Sequence, residues 1–287
     1  MEKGIKLALL AALISGFSIF INKSAMGAIA PLTFTTSKNL VVGLAICSLI
    51  LLSGKWRKIR DLKRHEVVKL VVVGVIGGSL PFYLFFTGLA QTSAVSAAII
   101  QKTLVLWVAL LAIPFLKERL SLLQVVGIAV LFYGNSLIGG FKGFNFGQGE
   151  LMILGATILW AVETVVAKKV LDTVDVNLVT GARMGLGSLV LISFGGWPSI
   201  SGSQVWGVVV TAGLLFAYVS VWYRALEFAQ ATVVTSVLVL STLVTNVLSA
   251  KLAAQQMVIM LLGAGLFLSK LLWSKIQGLL APAWLEP

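Results

Sequence analysis

Charged side chains are scarce in this sequence. Only 11% of its 287 residues are charged, whereas 59% are hydrophobic. A soluble domain carries about 25% charged residues, so the composition excludes most water-soluble folds, catalytic or not. At about 20 residues per membrane-spanning helix, about ten such helices fit into the chain if the loops between them are short. We therefore expect an all-α polytopic membrane protein.

Cysteine and histidine are nearly absent as well. The single cysteine, Cys47, cannot form an internal disulfide, and the single histidine, His65, cannot form a histidine cluster. Because Cys47 lies in a hydrophobic run and His65 in a charged segment, we interpret both as structural or incidental. We therefore expect neither a metal site nor a cofactor.

The chain also lacks the short motifs of several enzyme classes. It contains no G-x-x-x-x-G-K-[ST] phosphate-binding loop, no G-x-S-x-G and no H-E-x-x-H. No pair of carboxylates stands at a spacing typical of catalysis. These absences argue against ATP hydrolysis by the chain and against an intramembrane enzyme, so we expect a protein that is not an enzyme.

Long hydrophobic runs are what the sequence has in abundance. Short polar, glycine-bearing or proline-bearing segments separate them, and their lengths are close to that of a membrane span. The ten runs predict ten helices at about residues 5 to 22, 31 to 53, 67 to 89, 92 to 113, 121 to 139, 149 to 168, 177 to 195, 204 to 225, 231 to 250 and 256 to 273.

The basic residues predict the orientation in the membrane. The chain has 22 Lys and Arg against 10 Asp and Glu, a net charge of +12. With a cytoplasmic N-terminus, 16 of the 22 fall on cytoplasmic segments, three on outer segments and three inside spans. Cytoplasmic loops of membrane proteins are rich in Lys and Arg, so both termini are expected in the cytoplasm. The positive charge therefore predicts contact with the membrane and not with nucleic acid.

The sequence repeats itself weakly. At an offset of 145, Lys23 meets Lys168 and Lys38 meets Arg183; at an offset of 137, Leu89 meets Leu226. Two consecutive units of five helices enter the membrane from opposite sides, because five is odd. We therefore predict two inverted five-helix repeats, residues 1–145 and 146–287, with a substrate site near the midplane between them.

Three segments resemble the drug/metabolite transporter superfamily, in particular its EamA-type ten-helix branch. They are FINKSAMGAIAPLTFTTSKN (20–39), PFLKERLSLLQVVGIAVLFYG (114–134) and ILWAVETVVAKKVL (158–171). The resemblance covers essentially the whole chain. It implies a secondary carrier with helices 1 to 4 and 6 to 9 around a central cavity, and helices 5 and 10 at the periphery.

Two positions depart from the family pattern. The first helix has Gly16 and Phe17 where the family usually has a Trp-Gly pair. Gln255 stands where an equivalent of Glu118 is expected. The second departure predicts that the two gates of the carrier are not equivalent.

The best candidate for substrate binding is Lys102, flanked by Gln101 and Thr103 in the fourth span. A charged group at a helix centre costs about 2.5 to 3.5 kcal/mol on insertion scales and is a functional candidate for that reason. Lys102 either binds a carboxylate or phosphate, exchanges a proton, or forms a buried pair with Glu163 of the sixth span. Glu163 in turn is a candidate to bind a substrate amine, accept a proton or neutralise Lys102, unless it is an interfacial carboxylate that reaches water.

Four further residues complete the predicted site. Lys38 and Arg183 occupy symmetric positions about six residues into their spans, and they are candidates for the gates or the cavity mouth unless they snorkel to the interface. Trp160 and Tyr83 are candidates to line the cavity, although aromatic residues in membrane helices often serve packing.

The resemblance implies a secondary-active transporter that exports or exchanges a small polar metabolite such as an amino acid, and these residues fit alternating access around a central site. A Lys and a Glu across a cavity suit a zwitterion. The alternative is an antiporter of organic phosphates or nucleotide-sugars, since Lys38, Lys102 and Arg183 together favour anions. An intramembrane enzyme and a non-transporting scaffold rank lower. The expected partners are a small-molecule substrate, the lipid bilayer of the cell membrane, and a proton or counter-substrate.

Overall fold

A computed structural model of the chain describes residues 1–27, 29–92, 94–137, 146–195, 197–248 and 254–280. The secondary structure in these ranges is helical, with no strand. The predicted repeat boundary at residue 145 and the C-terminal residues 281–287 lie outside the described residues. In chain order the helices are α1 Glu2–Met26, α2 Pro31–Leu52, α3 Arg64–Gln91, α4 Ala94–Lys102 with Leu104–Leu116, α5 Leu122–Ser136, α6 Gln148–Leu171, α7 Val176–Gly195, α8 Gly202–Phe228, α9 Ala231–Leu238 with Ser241–Leu248, and α10 Ala254–Leu280.

Seven of the helices in the described ranges are long and apolar enough to cross a membrane. They lie in α1 to α4 and α6 to α8. The shorter apolar helices Leu122–Ser136, Ala231–Thr245 and Met257–Ser269 coincide with the fifth, ninth and tenth predicted spans but have only 10–17 residues. The protein is therefore an all-helical integral membrane protein, and helix length together with apolar composition identifies seven of the ten predicted crossings in the described ranges.

Contacts between helix ends show on which face α1 and α6 begin. Lys168, near the end of α6, donates to Leu226 O, near the end of α8, at 2.6 Å. Gly4, at the start of α1, packs on Ala229, just beyond the end of α8. Gly149, at the start of α6, packs on Gln91, at the end of α3. We call the side where α1 begins the N-terminal face and the side where it ends the opposite face. The helices α1 and α6 therefore start on different faces.

The helices α3 and α7 cross at their glycines. Each helix contains one π-helical turn, Val73–Gly77 in α3 and Ala182–Leu186 in α7, and the two turns lie against each other. A Cβ at Gly78 would collide with the backbone carbonyl oxygen of Arg183. Arg183 itself lies within the π-helical turn of α7, and π-helical turns inside α-helices are frequent at functional sites.

The helices α5 and α10 pack mainly against each other. A Cβ at Gly127 of α5 would lie 2.6 Å from the backbone nitrogen of Phe267 of α10. The remaining eight helices form the bundle that carries the cavity described below.

Candidate functional site

A cavity of about 680 Å³ lies at the centre of the bundle. Its lining residues come from α1 to α4 and α6 to α9, or directly follow α3, and none of the described residues of α5 or α10 takes part. This is the arrangement that the family resemblance implies. On α1 the lining residues all lie in the second half, from Ser15 to Met26, and on α9 they reach Thr245. The cavity therefore extends from the middle of the bundle toward the opposite face.

Two sets of contacts connect the two halves of the chain at the N-terminal face. The carboxylate of Glu118, between α4 and α5, accepts hydrogen bonds from Ala231 N at 2.7 Å and Thr232 N at 3.1 Å. It also accepts one from Thr232 Oγ1 at 2.6 Å. Glu118 thus caps the N-terminus of α9, where backbone N–H groups favour a negative charge. Gln255, which the sequence comparison placed at the equivalent position, is exposed.

Asp175, just before α7, makes a second link across the N-terminal face. Its carboxylate lies 2.8 Å from Lys58 Nζ and 3.4 Å from Lys55 Nζ, and it caps α7 by accepting from Asn177 N at 2.9 Å. Burial alone would raise the pKa of Asp175, but the hydrogen bonds from Lys58 and Asn177 and the charge of Lys55 outweigh it. The pKa of Asp175 is therefore held below its ordinary value.

Glu163, Arg183 and Tyr223 form a buried cluster at the inner end of the cavity. Arg183 Nη1 donates to Glu163 Oε2 at 3.1 Å and to the Tyr223 hydroxyl at 3.0 Å. The Tyr223 hydroxyl donates to Glu163 Oε1. Exposure of the three residues is 0% for Glu163 and Tyr223 and 5% for Arg183. In the structure Glu163 thus neutralises Arg183, and the buried Lys102–Glu163 pair considered above does not form.

Lys102 lines the cavity and is only 4% exposed. Over the part of the chain that the structure describes, its ammonium has no hydrogen-bond or ion-pair partner. Gln101 also lines the cavity, whereas Thr103 does not. The hydroxyl of Thr103 donates to Ile100 O at 2.6 Å and accepts from Trp107 Nε1 at 3.2 Å, at the break in α4. Thr103 therefore has a structural role in place of the predicted contact with substrate.

Lys38 is buried in the cavity wall and does not snorkel to the membrane surface. It is 2% exposed, and its Nζ donates to Asn22 Oδ1 of α1 at 3.0 Å. The ammonium lies 4.9 Å from the ring centroid of Phe34 and 5.1 Å from that of Phe86, which are favourable cation–π distances. Lys38 thus belongs to the cavity itself and not to its mouth.

Aromatic rings supply much of the remaining lining. Trp160 packs against Phe82 and Phe85, with ring centroids 5.4 and 5.5 Å apart, and its Nε1 donates to Gly77 O at 3.2 Å. Tyr218 and Trp222, one helical turn apart on α8, stack with ring centroids 5.8 Å apart and also line the cavity. The prediction that Trp160 lines the cavity agrees with this placement.

Tyr83 is not among the lining residues. It stacks on Phe194 of α7, with ring centroids 6.5 Å apart. The neighbouring Phe82 lines the cavity in its place because successive helical residues point about 100° apart. Tyr83 therefore does not belong to the candidate site.

Several residues of the cavity wall and of the buried cluster with Glu163 and Arg183 escaped the sequence interpretation. Asn22 and Ser18 lie one helical turn apart on α1, and Tyr223 lies on α8. A signal was present for Asn22 and Ser18, since polar residues at a spacing of four inside an apolar run mark one polar face. The hydroxyl of Tyr223 gave no comparable signal, because an aromatic residue in a span usually indicates packing.

The EamA-like transporter family model matches residues 2–140 and 147–272. The chain belongs to the EamA-like transporter family. The predicted relation to the drug/metabolite transporter superfamily is thereby confirmed, and the relatives described next are named transporters. An uncharacterized transporter of Archaeoglobus fulgidus is 28% identical over 78% of this chain and 80% of its own length.

A transporter of Chlamydia trachomatis serovar L2, named for S-adenosylmethionine and S-adenosylhomocysteine, is 29% identical over 55% of this chain and 50% of its own length. The chain spans 40% of an uncharacterized transporter of Methanothermobacter thermautotrophicus, at 27% identity over 46% of this chain. A protein of known crystal structure superposes with a TM-score of 0.73 at 18% identity, covering 92% of this chain and 94% of that chain. The EamA-like protein therefore shares its fold with that structure.

Proposed function

We propose that this EamA-like transporter is a secondary carrier of a small organic anion, working by alternating access around the central cavity. One observation carries the proposal. Two buried lysines, Lys38 and Lys102, line the cavity. Among its described lining residues the carboxylate is that of Glu163, and it is already paired with Arg183. A buried cation without a counter-charge is unfavourable, so an anionic substrate group stabilises the occupied cavity.

Inverted repeats of five helices are part of this proposal, and the packing supports them. The helix α1 packs against α8 and α9, and α6 packs in the corresponding way against α3 and α4. A Cβ at Gly4 would lie 2.9 Å from the carbonyl carbon of Phe228, and one at Gly149 would lie 3.1 Å from that of Gln91. These two contacts are related by the sequence offsets of 145 and 137.

The contacts across the N-terminal face support alternating access. With the N-terminus in the cytoplasm, as the basic loops indicate, this structure corresponds to a carrier that is sealed by Glu118 and Asp175 on the cytoplasmic side. Its cavity extends toward the outside. Rocking of the two halves would break these contacts and close the opposite face, so that the lysines become accessible from the cytoplasm.

The charge distribution favours an anion over the zwitterion that we expected from the sequence. Binding an amino acid at both ends needs a free carboxylate for its ammonium group, and Glu163 is occupied by Arg183 and Tyr223. A carboxylate or phosphate needs only the lysines. The aromatic wall around Trp160 further favours a substrate with a planar or apolar body. S-adenosylhomocysteine, named in the Chlamydia relative, carries a carboxylate, an ammonium group and a planar base, so including it in the test compares a zwitterion with a simple anion.

Flux into liposomes tests the proposal. Purified protein is reconstituted, and saturable uptake or counterflow of labelled carboxylates, organic phosphates, amino acids and amines is measured. We expect anions to be carried, and Lys102→Gln to reduce their transport by about tenfold or more, the effect of losing one hydrogen-bonded charge. Lys6→Gln, which alters an exposed lysine at the start of α1, serves as the control. Saturable flux of amines alone, or anion flux that Lys102→Gln leaves unchanged, would contradict the proposal.

A further inference from the structure

The two pseudo-symmetric halves contain the same arrangement of a cation over an aromatic ring. At an offset of 145, Lys38 corresponds to Arg183, and at an offset of 137, Phe86 corresponds to Tyr223. The Lys38 ammonium lies 5.1 Å from the Phe86 centroid, and the Arg183 guanidinium carbon lies 5.6 Å from the Tyr223 centroid. The two sites are therefore equivalent in structure as well as in sequence.

One component differs between the halves. Glu163 supplies a carboxylate beside Arg183, whereas its counterpart at the offset of 145 is Ser18. Serine is shorter than glutamate by three heavy atoms, which is the size of a carboxylate group. The first half therefore has the cation and the ring, and lacks the anion that completes the second half.

The polar atoms around the missing anion have few partners. Lys38 has three N–H donors, and in the described structure one of them reaches Asn22 Oδ1, a neutral acceptor. The Ser18 hydroxyl is buried and has no hydrogen-bond partner among the described residues. Both Ser18 and Asn22 line the cavity, one helical turn apart on α1. A buried donor left unpaired is unfavourable, so these groups are arranged for a ligand.

We propose that Lys38 and Ser18 form a carboxylate-binding subsite, in which the carboxylate of the substrate occupies the place that Glu163 occupies in the second half. Lys38 and the Ser18 hydroxyl donate to the two carboxylate oxygens. The ring of Phe86, whose centroid lies 5.1 Å from the Lys38 ammonium, and the ring of Phe85 against it both line the cavity and contact the apolar body of the substrate. The substrate class is therefore a carboxylate with a planar or apolar body. This inference rests on the proposed function as a transporter of anions.

The test replaces the missing anion with one from the chain itself. In the Ser18→Glu variant, the new carboxylate pairs with Lys38 as Glu163 pairs with Arg183. We expect this variant to unfold at a higher temperature than the natural protein and to lose carboxylate binding. The matched control is Ser18→Gln, which fills the same volume without charge and should give no such increase.

Binding is followed by thermal shift of the purified protein with 3-phenylpropionate, its neutral amide 3-phenylpropionamide, and phenyl phosphate. We expect stabilisation by the carboxylate alone. Lys38→Gln should weaken that effect by about tenfold to a hundredfold. A Ser18→Glu variant that is less stable than Ser18→Gln, or that still responds to 3-phenylpropionate, would overturn the subsite. Equal stabilisation by phenyl phosphate, or no Lys38-dependent stabilisation by the carboxylate, would also overturn it.

The outcomes separate this inference from the proposed function. If anions are transported in a Lys102-dependent way but Lys38→Gln and Ser18→Glu change neither binding nor stability, the carrier function stands and the subsite is wrong. If 3-phenylpropionate binds in a Lys38-dependent way but no solute crosses the liposome membrane, the subsite stands and the carrier function is wrong.

Discussion

Replacing Glu163 with glutamine tests the central ion pair of the molecule. The substitution keeps the shape of the side chain and removes its charge, leaving the buried Arg183 without a counter-ion. Two unit charges about 4 Å apart attract by about 4 kcal/mol at an effective dielectric constant of about 20. Breaking a buried pair by removing one partner costs about 3 to 5 kcal/mol. We therefore expect Glu163→Gln to lower the free energy of unfolding by about 3 kcal/mol or more.

A double-mutant cycle measures this coupling. Glu163→Gln, Arg183→Gln and the double variant are unfolded in mixed micelles by denaturing detergent, and the free energies of unfolding are compared. We expect the double variant to be less destabilised than the sum of the single variants by about 2 kcal/mol, because it contains no unpaired charge. Glu227→Gln, at an exposed position on α8, is the control and should change stability by about 0.5 kcal/mol or less.

Two results would refute this reasoning. If Glu163→Gln costs about 1 kcal/mol or less, the carboxyl group is neutral in the folded protein and does not balance Arg183. If the single effects simply add, the two side chains are not coupled. As a further check, Tyr223→Phe removes the hydroxyl that bridges both partners, and it should cost about 1 to 3 kcal/mol.

Three more predictions concern the seal and the helix crossing. Glu118→Gln weakens the cap on α9 by about 1 to 2 kcal/mol. Cysteines placed in the cavity should then be alkylated faster by a reagent added on the N-terminal face, and an unchanged rate would contradict the gating role. Asp175→Asn should cost about 1 kcal/mol at neutral pH. Because the pKa of Asp175 is lowered in the folded protein, the ionised carboxylate contributes its full stability above about pH 4. This contribution is lost as the pH falls through the folded pKa, so the difference in stability between the natural protein and Asp175→Asn should narrow in acid. A difference that widens would refute the assignment. Gly78→Ala places a Cβ on the Arg183 carbonyl and should lower the free energy of unfolding in detergent by about 1 to 3 kcal/mol. Gly213→Ala, at a position with open space around it, is the control and should be nearly neutral. Equal effects of the two substitutions would rule out the close crossing.

Much of the architecture is readable from the order of residue types. The hydrophobic runs predict the helices because a membrane leaves few alternatives to a helix for a long apolar segment. The offset of 145 pairs Lys38 with Arg183, and the structure places both in the wall of one cavity. The depth of Lys102 within its span likewise predicts a residue that cannot easily reach the membrane surface, and it is buried.

The choice between neighbouring side chains is not readable in this way. Phe82 lines the cavity and Tyr83 packs on Phe194, although the two are adjacent in a run of apolar residues. Gln101 faces the cavity while Thr103 bonds within α4. In an apolar helix both faces are hydrophobic, so the pattern gives no rotation about the helix axis, and packing against neighbouring helices sets it.

The sequence by itself determined the class of the protein, its helices and the offset of 145 between Lys38 and Arg183, because hydropathy and spacing can be read from the chain alone. Only the tertiary structure decided which charges neutralise each other. The crossing of α3 and α7 at Gly78 brings Arg183 to Glu163, and Lys38 and Lys102 are left facing the cavity. Contacts between residues that are far apart in the chain depend on the rotation and approach of whole helices, and these follow from the packing of the complete bundle.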